Sequence, residues 1–140
     1  MNAQTTTIST RGLAVGESVT VTIEARQFWN DTGIHLVAGQ ECRFTTAGTW
    51  TDWYIPCDAD GFPSPNLLMW AFEWLRRAPH EPWFALIGGI DHDLRSLFLI
   101  GTERTLTAPV SGMLTCFAND LPLAYWNNLG SVQLTVTRMR

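Results

Sequence analysis

Apolar and polar residues alternate along Val19-Thr20-Val21-Thr22-Ile23-Glu24-Ala25, with the apolar ones on odd positions. Successive side chains of an extended strand point to opposite faces, so this pattern predicts a strand with one buried and one wet face. The pattern returns near the C-terminus, where Val132, Leu134 and Val136 alternate with Ser131, Gln133, Thr135 and Thr137. Shorter strands are predicted near 33–37, 41–47, 84–90, 96–101, 104–108 and 112–118. Turn residues at Asp31-Thr32-Gly33, Ala38-Gly39, Gly88-Gly89 and Ser111-Gly112 separate several of them. Many short strands at short intervals read as an all-β, antiparallel sandwich.

One segment departs from that period. Ser64-Pro65-Asn66 precedes Leu67-Leu68-Met69-Trp70-Ala71-Phe72-Glu73-Trp74-Leu75-Arg76-Arg77, and Ala78-Pro79 follows. A Ser N-cap, a Pro at the first helical position and Arg in the last turn predict a short inserted helix near 65–77. Leu67, Trp70, Phe72, Trp74 and Leu75 cannot all face one sheet. The helix is therefore expected either to pack over the open end of the sandwich or to offer an apolar face to another subunit, a second domain or an apolar ligand.

The 140 residues are expected to form a single domain, 1–140, large enough to bury a core without staples. A net charge of -4, with only 16% charged residues and the basic ones dispersed, argues against nucleic acid as a partner. No apolar run reaches the length of about 18 residues that a membrane-spanning helix needs. Met1-Asn2-Ala3-Gln4-Thr5-Thr6-Thr7 lacks a basic region followed by an apolar core, so a usual secretory signal is not expected. Localisation stays open between the cytoplasm and non-classical export. Cys42, Cys57 and Cys116 are odd in number and lack Cys-x-x-Cys spacing, which favours reduced thiols over a zinc site or a disulfide framework.

The candidate chemistry lies between two predicted strands, in Asn119-Asp120-Leu121-Pro122-Leu123-Ala124-Tyr125-Trp126-Asn127-Asn128-Leu129-Gly130. It gathers one carboxylate and amide carbonyls, the oxygen donors a hard cation such as calcium prefers. On residue types alone, Asn127-Asn128 reads first as the turn of a hairpin. The pattern Asn-Asp-x-Pro, Tyr, Asn-Asn-x-Gly resembles the calcium loop of the bacterial PA-I galactophilic lectin family, and every position of it is present here. Gly48-Thr49-Trp50, Phe84-Ala85-Leu86-Ile87-Gly88, Ile100-Gly101 and Ser111-Gly112-Met113-Leu114 resemble that family's strands in order, so the likeness spans roughly residues 19 to 138.

The resemblance implies a jelly-roll-like β-sandwich and a calcium-dependent carbohydrate-binding module that acts on a terminal hexose. It implies calcium held by the side chains of Asp120, Asn127 and Asn128, with backbone carbonyls at Trp53 and Ala124. A sugar would sit beside the cation, framed by Asp120, Asn127 and Trp53, with His80 and Trp126 as further candidates. Two vicinal hydroxyls would replace calcium-bound waters. The family's His-Pro-x-Gln stretch, which helps hold galactose, is absent, so galactose specificity does not carry over.

Trp29 and Trp83 flank apolar strands and read as core, whereas Trp50, Trp53 and Trp126 lie near the expected mouth. His35 reads as a strand residue and His92 as part of a polar turn with Asp91 and Asp93. No Gly-x-Ser-x-Gly elbow, phosphate loop or His-Glu-x-x-His helix occurs, so nothing argues for catalysis and no enzyme is expected. The apolar helix and the low charge fraction lead us to expect a homo-oligomer. The competing reading is a sandwich that keeps the loop as a structural calcium site and uses the helix for protein association without binding sugar.

Overall fold

The computed structural model describes residues 11–140, and the reading of Met1 to Thr7 lies outside the described residues. The strands are β1 (Arg11–Gly12), β2 (Ser18–Glu24), β3 (Asn30–Leu36), β4 (Glu41–Ala47), β5 (Trp50–Asp52), β6 (Ile55–Cys57), β7 (Leu86–Ile90), β8 (Asp93–Leu99), β9 (Glu103–Thr107), β10 (Gly112–Ala118) and β11 (Asn128–Arg138). One short helix, α1 (Leu67–Ala71), is followed by a 3-10 turn at Glu73–Leu75. The strands form two sheets, β1-β3-β10-β7-β8 and β6-β5-β11-β4-β9, with β2 on β11. All pairings are antiparallel except the short β1–β3 contact. This is an all-β sandwich, as the alternation predicts. Ile23, Val132, Leu134 and Val136 are fully buried, and their polar neighbours line the wet face with hydroxyl pairs such as Ser18–Thr137 and Thr20–Thr135.

The core lies between the sheets. Phe44, Trp50, Leu134 and Val132 from one sheet face Leu36, Leu86, Leu114 and Cys116 from the other. The three cysteines are free. Trp50 meets Phe84 edge-on with ring centroids 5.5 Å apart, so it belongs to the core and not to the mouth. Trp83 is buried as expected, while Trp29 is only partly so.

The turns and the inserted helix depart from what the sequence predicts. Asp31-Thr32-Gly33 and Gly88-Gly89 are not turns but parts of β3 and β7. At Gly88 a side chain would meet the Phe98 ring at 2.6 Å, so this glycine marks close packing and not a bend. The helix is shorter than expected and is capped by Asn66, whose Oδ1 accepts from the Met69 N–H at 2.9 Å. Ser64 is used elsewhere: it accepts from Trp83 Nε1 at 2.8 Å and donates to Glu73. Arg76 and Arg77 lie beyond the helix and its 3-10 turn, with Arg76 in extended backbone.

Packing fixes the insertion. The Arg77 guanidinium lies over the Phe28 and Phe117 rings, at 3.7 and 3.6 Å from their centroids, and donates to Tyr125 Oη at 2.9 Å. Ala78 joins Ala85, Ile87 and Phe117 in a second apolar cluster on the outer face of the first sheet. At the other end Gly61 has φ +74, and its position leaves no room for a Cβ, which would lie 2.1 Å from the Trp83 carbonyl oxygen. Between these anchors α1 does not cap the sandwich. No residue of α1 is buried.

Candidate functional site

β4 and β5 run along β11 in one register across Gly48-Thr49: Ala47 faces Gln133 and Trp50 faces Gly130. The same register sets Asp52, the last residue of β5, opposite Asn128, the first residue of β11. The loop from β10 to β11 leaves the first sheet at Asn119 and joins the second at Asn128, so its last residue meets the end of β5.

Each loop residue has a distinct task. Asn119 is fully buried and spends its amide on the insertion: Oδ1 accepts from Ala78 N–H at 2.9 Å, and Nδ2 donates to the carbonyls of Ala78, Glu81 and Pro82. Tyr125 Oη donates to the Ala118 carbonyl at 2.5 Å, closing the loop on itself. The Asn127 carbonyl accepts from the Trp53 N–H at 3.1 Å, which ties the β5–β6 turn to the loop. Trp53 itself has φ 58, a left-handed conformation uncommon for a bulky residue, which marks this turn as constrained.

Three oxygens are left without partners. Asp120 Oδ2, Asn127 Oδ1 and Asn128 Oδ1 are buried and accept no hydrogen bond. Asn128 Nδ2 donates to the Ala25 carbonyl, which fixes the amide. Asp120 Oδ1 accepts from the Leu121 N–H at 2.7 Å. Buried acceptors without donors are costly, about 1–3 kcal/mol each and more for a charge, so three together call for something that binds oxygen. Asp120 and Asn127 line a cavity of about 390 Å³ together with Asp52, the Trp53–Ile55 turn, Ala124, Trp83 and the insertion residues Asn66, Leu68, Met69 and Phe72. The insertion borders this mouth instead of closing it.

The electrostatics agree with a site short of positive charge. Burial pushes the Asp52 carboxyl up to about 6. Burial, and then the charge of Asp52, push Asp120 up to about 7, offset in part by the Leu121 N–H and by the neighbouring Asn128 side chain. Asp52 was not anticipated from the sequence. Its one available signal is position: it shares the face of Trp50 and precedes Trp53, the residue expected to supply a carbonyl. Among the described residues no three His, Cys, Asp or Glu side chains gather in metal-binding range. The oxygens here come from two carboxylates and two amides.

The structure brings together Asp120, Asn127, Asn128, Ala124 and Trp53. It does not bring in the other two candidates. His80 lines separate cavities and packs edge-on against Trp74, with centroids 5.7 Å apart, because the Asn119 amide pins its segment toward the outer face of the first sheet. Trp126 is 72% exposed and lies outside the cavity lining, held by Arg26 Nη2 donating to its carbonyl at 2.9 Å. His35 lies in β3, and His92 stacks on Trp29 with Nε2 2.5 Å from Asp31 Oδ1.

Among solved structures the chain is similar to one described as the EclA N-terminal domain, a PllA-like lectin, with a TM-score of 0.62 and 18% sequence identity over 85% of this chain and 94% of that one. The fold is lectin-like. No protein-family model and no curated protein matches the chain. A lectin-like sandwich therefore carries the oxygen-lined cavity at the edge where β5 and the β10–β11 loop meet. No helix among the described residues is long and apolar enough to cross a membrane.

Proposed function

We propose that this protein is a calcium-dependent carbohydrate-binding module whose site is the cavity beside Asp120. The observation that carries the reading is the set of three buried, unpartnered oxygens on Asp120, Asn127 and Asn128. All are hard donors, without nitrogen or sulfur among them, which suits calcium better than a transition metal. Asp52 supplies a second carboxylate to the same cavity. The backbone at Trp53 and Ala124 would complete the donor set. Two carboxylates that burial pushes up, Asp120 also through the charge of Asp52, are suited to a dication, which relieves both effects.

Bound there, calcium would supply a centre that vicinal hydroxyls of a sugar can coordinate. The chain's own part is to orient and select. Asp120 and Asn127 present hydrogen-bonding groups at the cavity wall, and the Trp53–Tyr54 ring pair, with centroids 4.8 Å apart, offers an aromatic surface for the apolar face of a sugar. The lectin-like fold and the complete Asn-Asp-x-Pro…Asn-Asn-x-Gly loop support the reading. Galactose is not singled out, since the family stretch that helps hold it is replaced by the insertion.

Calorimetric titration tests the proposal in two steps, first calcium into chelated protein, then monosaccharides into the calcium-loaded protein. Sugar binding that vanishes in chelator supports it. A protein that binds no calcium contradicts it.

One observation favours a second reading. Leu67, Trp70 and Trp74 are 77%, 62% and 72% exposed and lie outside the cavity. A homo-oligomer covering this face, with calcium only stabilising the loop, would account for them. Sedimentation showing a monomer at micromolar concentration would remove that reading.

A further inference from the structure

A separate cavity of about 280 Å³ opens where the insertion crosses the β2–β3 connection and the β7–β8 turn, and it shares no lining residue with the one beside Asp120. Phe28, Trp29, Leu75, Leu94 and Pro122 make its walls apolar, and Leu94, on the edge strand β8, is 63% exposed. Its charged lining is of one sign. Arg76 and Arg77 face it together with His92, and no carboxylate does. In a chain of net charge -4 that is a local reversal of charge.

Neither guanidinium is fully partnered. Arg77 Nη1 donates to the Phe28 carbonyl and to Tyr125 Oη, while Nη2 is buried without an acceptor. The Phe28 and Phe117 rings cover the guanidinium, and a ring face attracts a cation without accepting the N–H groups that lie in its plane. Only 7% of the Arg76 side chain is exposed: Nη2 donates to the Pro79 carbonyl at 2.6 Å with Glu73 Oε1 4.0 Å away, and Nε has no partner. Burial pulls both groups below the usual arginine range, and at Arg77 no carboxylate opposes it. Asp31, beside the cavity, is held by His92 Nε2 at 2.5 Å. A buried cation without a counter-charge costs more than a neutral donor left open, so the arginines call for an oxygen anion and the walls for an apolar body attached to it.

We propose that this cavity is a second ligand site, for a small aromatic carboxylate whose anion lies against Arg76 and Arg77 and whose ring lies among Trp29, Leu75 and Leu94. A carboxylate offers two oxygens to the planar fork of a guanidinium. Inorganic phosphate would meet the same donors but would leave the apolar walls in water. A volume of about 280 Å³ lies at the small end of ligand sites, which suits one ring system and not an oligosaccharide. The site uses no residue of the cavity beside Asp120, so it stands or falls separately from the carbohydrate reading.

The test is calorimetric titration of the full chain in chelator, which keeps calcium from binding the acids, with phenylacetate, indole-3-acetate, the neutral amides of both and inorganic phosphate. At least one acid should bind, at least about tenfold tighter than its own amide and than phosphate. Leu94→Glu sets a carboxylate on the exposed rim and should abolish acid binding, with a thermal melt showing the variant folded. Arg77→Lys keeps the charge and removes the fork, and should weaken the acid at least about tenfold; if that variant does not fold, Leu94→Glu decides alone. A protein that binds neither acid overturns the proposal. Equal affinity for acid and amide shows an apolar pocket without an anion site, and phosphate bound as tightly as the acid shows a general anion surface; either result overturns it. Acid binding that survives Leu94→Glu lies elsewhere on the protein and overturns it as well. Each of these outcomes leaves the calcium and sugar reading untouched.

Discussion

Asp52→Asn separates a charge kept for a cation from a charge kept for the fold. Burial raises the Asp52 carboxyl from 3.8 to about 6. Kept ionised at pH 8, it costs the metal-free protein about 3 kcal/mol, since each tenfold displacement of a proton equilibrium is about 1.4 kcal/mol. Asparagine has the same shape and no charge, and it also removes the repulsion felt by Asp120. Metal-free Asp52→Asn should therefore be about 2–3 kcal/mol more stable at pH 8, a rise of roughly 6–10 °C in Tm for a domain of this size. Calcium affinity should move the other way, falling about 10–100-fold as the site loses half its formal charge. The pH dependence has the sign of raised carboxyls: between about pH 4 and 7 the folded state holds more protons than the unfolded one, so stability falls as pH rises. From pH 5 to pH 8 the metal-free wild type should lose about 4 kcal/mol, mostly through Asp120. Thermal melts in chelator and in calcium across that range measure both effects. A metal-free Asp52→Asn that melts below wild type at pH 8, or a wild-type melt in chelator that is flat across the range, would refute the reasoning.

Asp120→Asn keeps the shape of the loop and should reduce calcium affinity by at least about 100-fold in calorimetry, leaving Tm nearly the same with calcium and with chelator. Asn119→Ala should behave differently, because its four hydrogen bonds hold residues 78 to 82 in place. A loss of about 3–5 kcal/mol in urea denaturation is expected, equal with and without calcium. Gly61→Ala combines φ +74 with a Cβ 2.1 Å from the Trp83 carbonyl oxygen, and should cost more than about 2 kcal/mol by the same assay.

The sandwich was legible where one face of a strand is buried and the other wet, as in Val19 to Ala25 and Val132 to Val136, because burial then writes a period of two into the sequence. β5 and β6, at three residues each, are too short to show any period. Gly88-Gly89 looked like a turn because glycine is read first as backbone freedom, whereas here it makes room for the Phe98 and Trp29 rings. Ser64-Pro65 satisfied the rules for a helix start, but the Ser64 hydroxyl is engaged by Trp83 and Glu73, and the cap moves to Asn66. In the loop, Asp120, Asn127 and Asn128 were legible as a motif whose spacing brings oxygens together. Asp52 was not, because its partner Asn128 is distant in sequence and only the β5–β11 register joins them. His80 failed for the converse reason: nearness along the chain to the expected mouth gives no nearness in space once the Asn119 amide has drawn its segment to the outer face of the first sheet.

The oxygens of Asp120, Asn127 and Asn128 are proposed to serve a cation that in turn holds sugar. A glycan array probed with labelled wild-type protein in calcium, and again after chelation, tests it most directly. Binding to glycans with an accessible terminal hexose is expected, lost on chelation and absent for Asp120→Asn. A calcium-loaded, folded protein that binds no glycan on the array would contradict it.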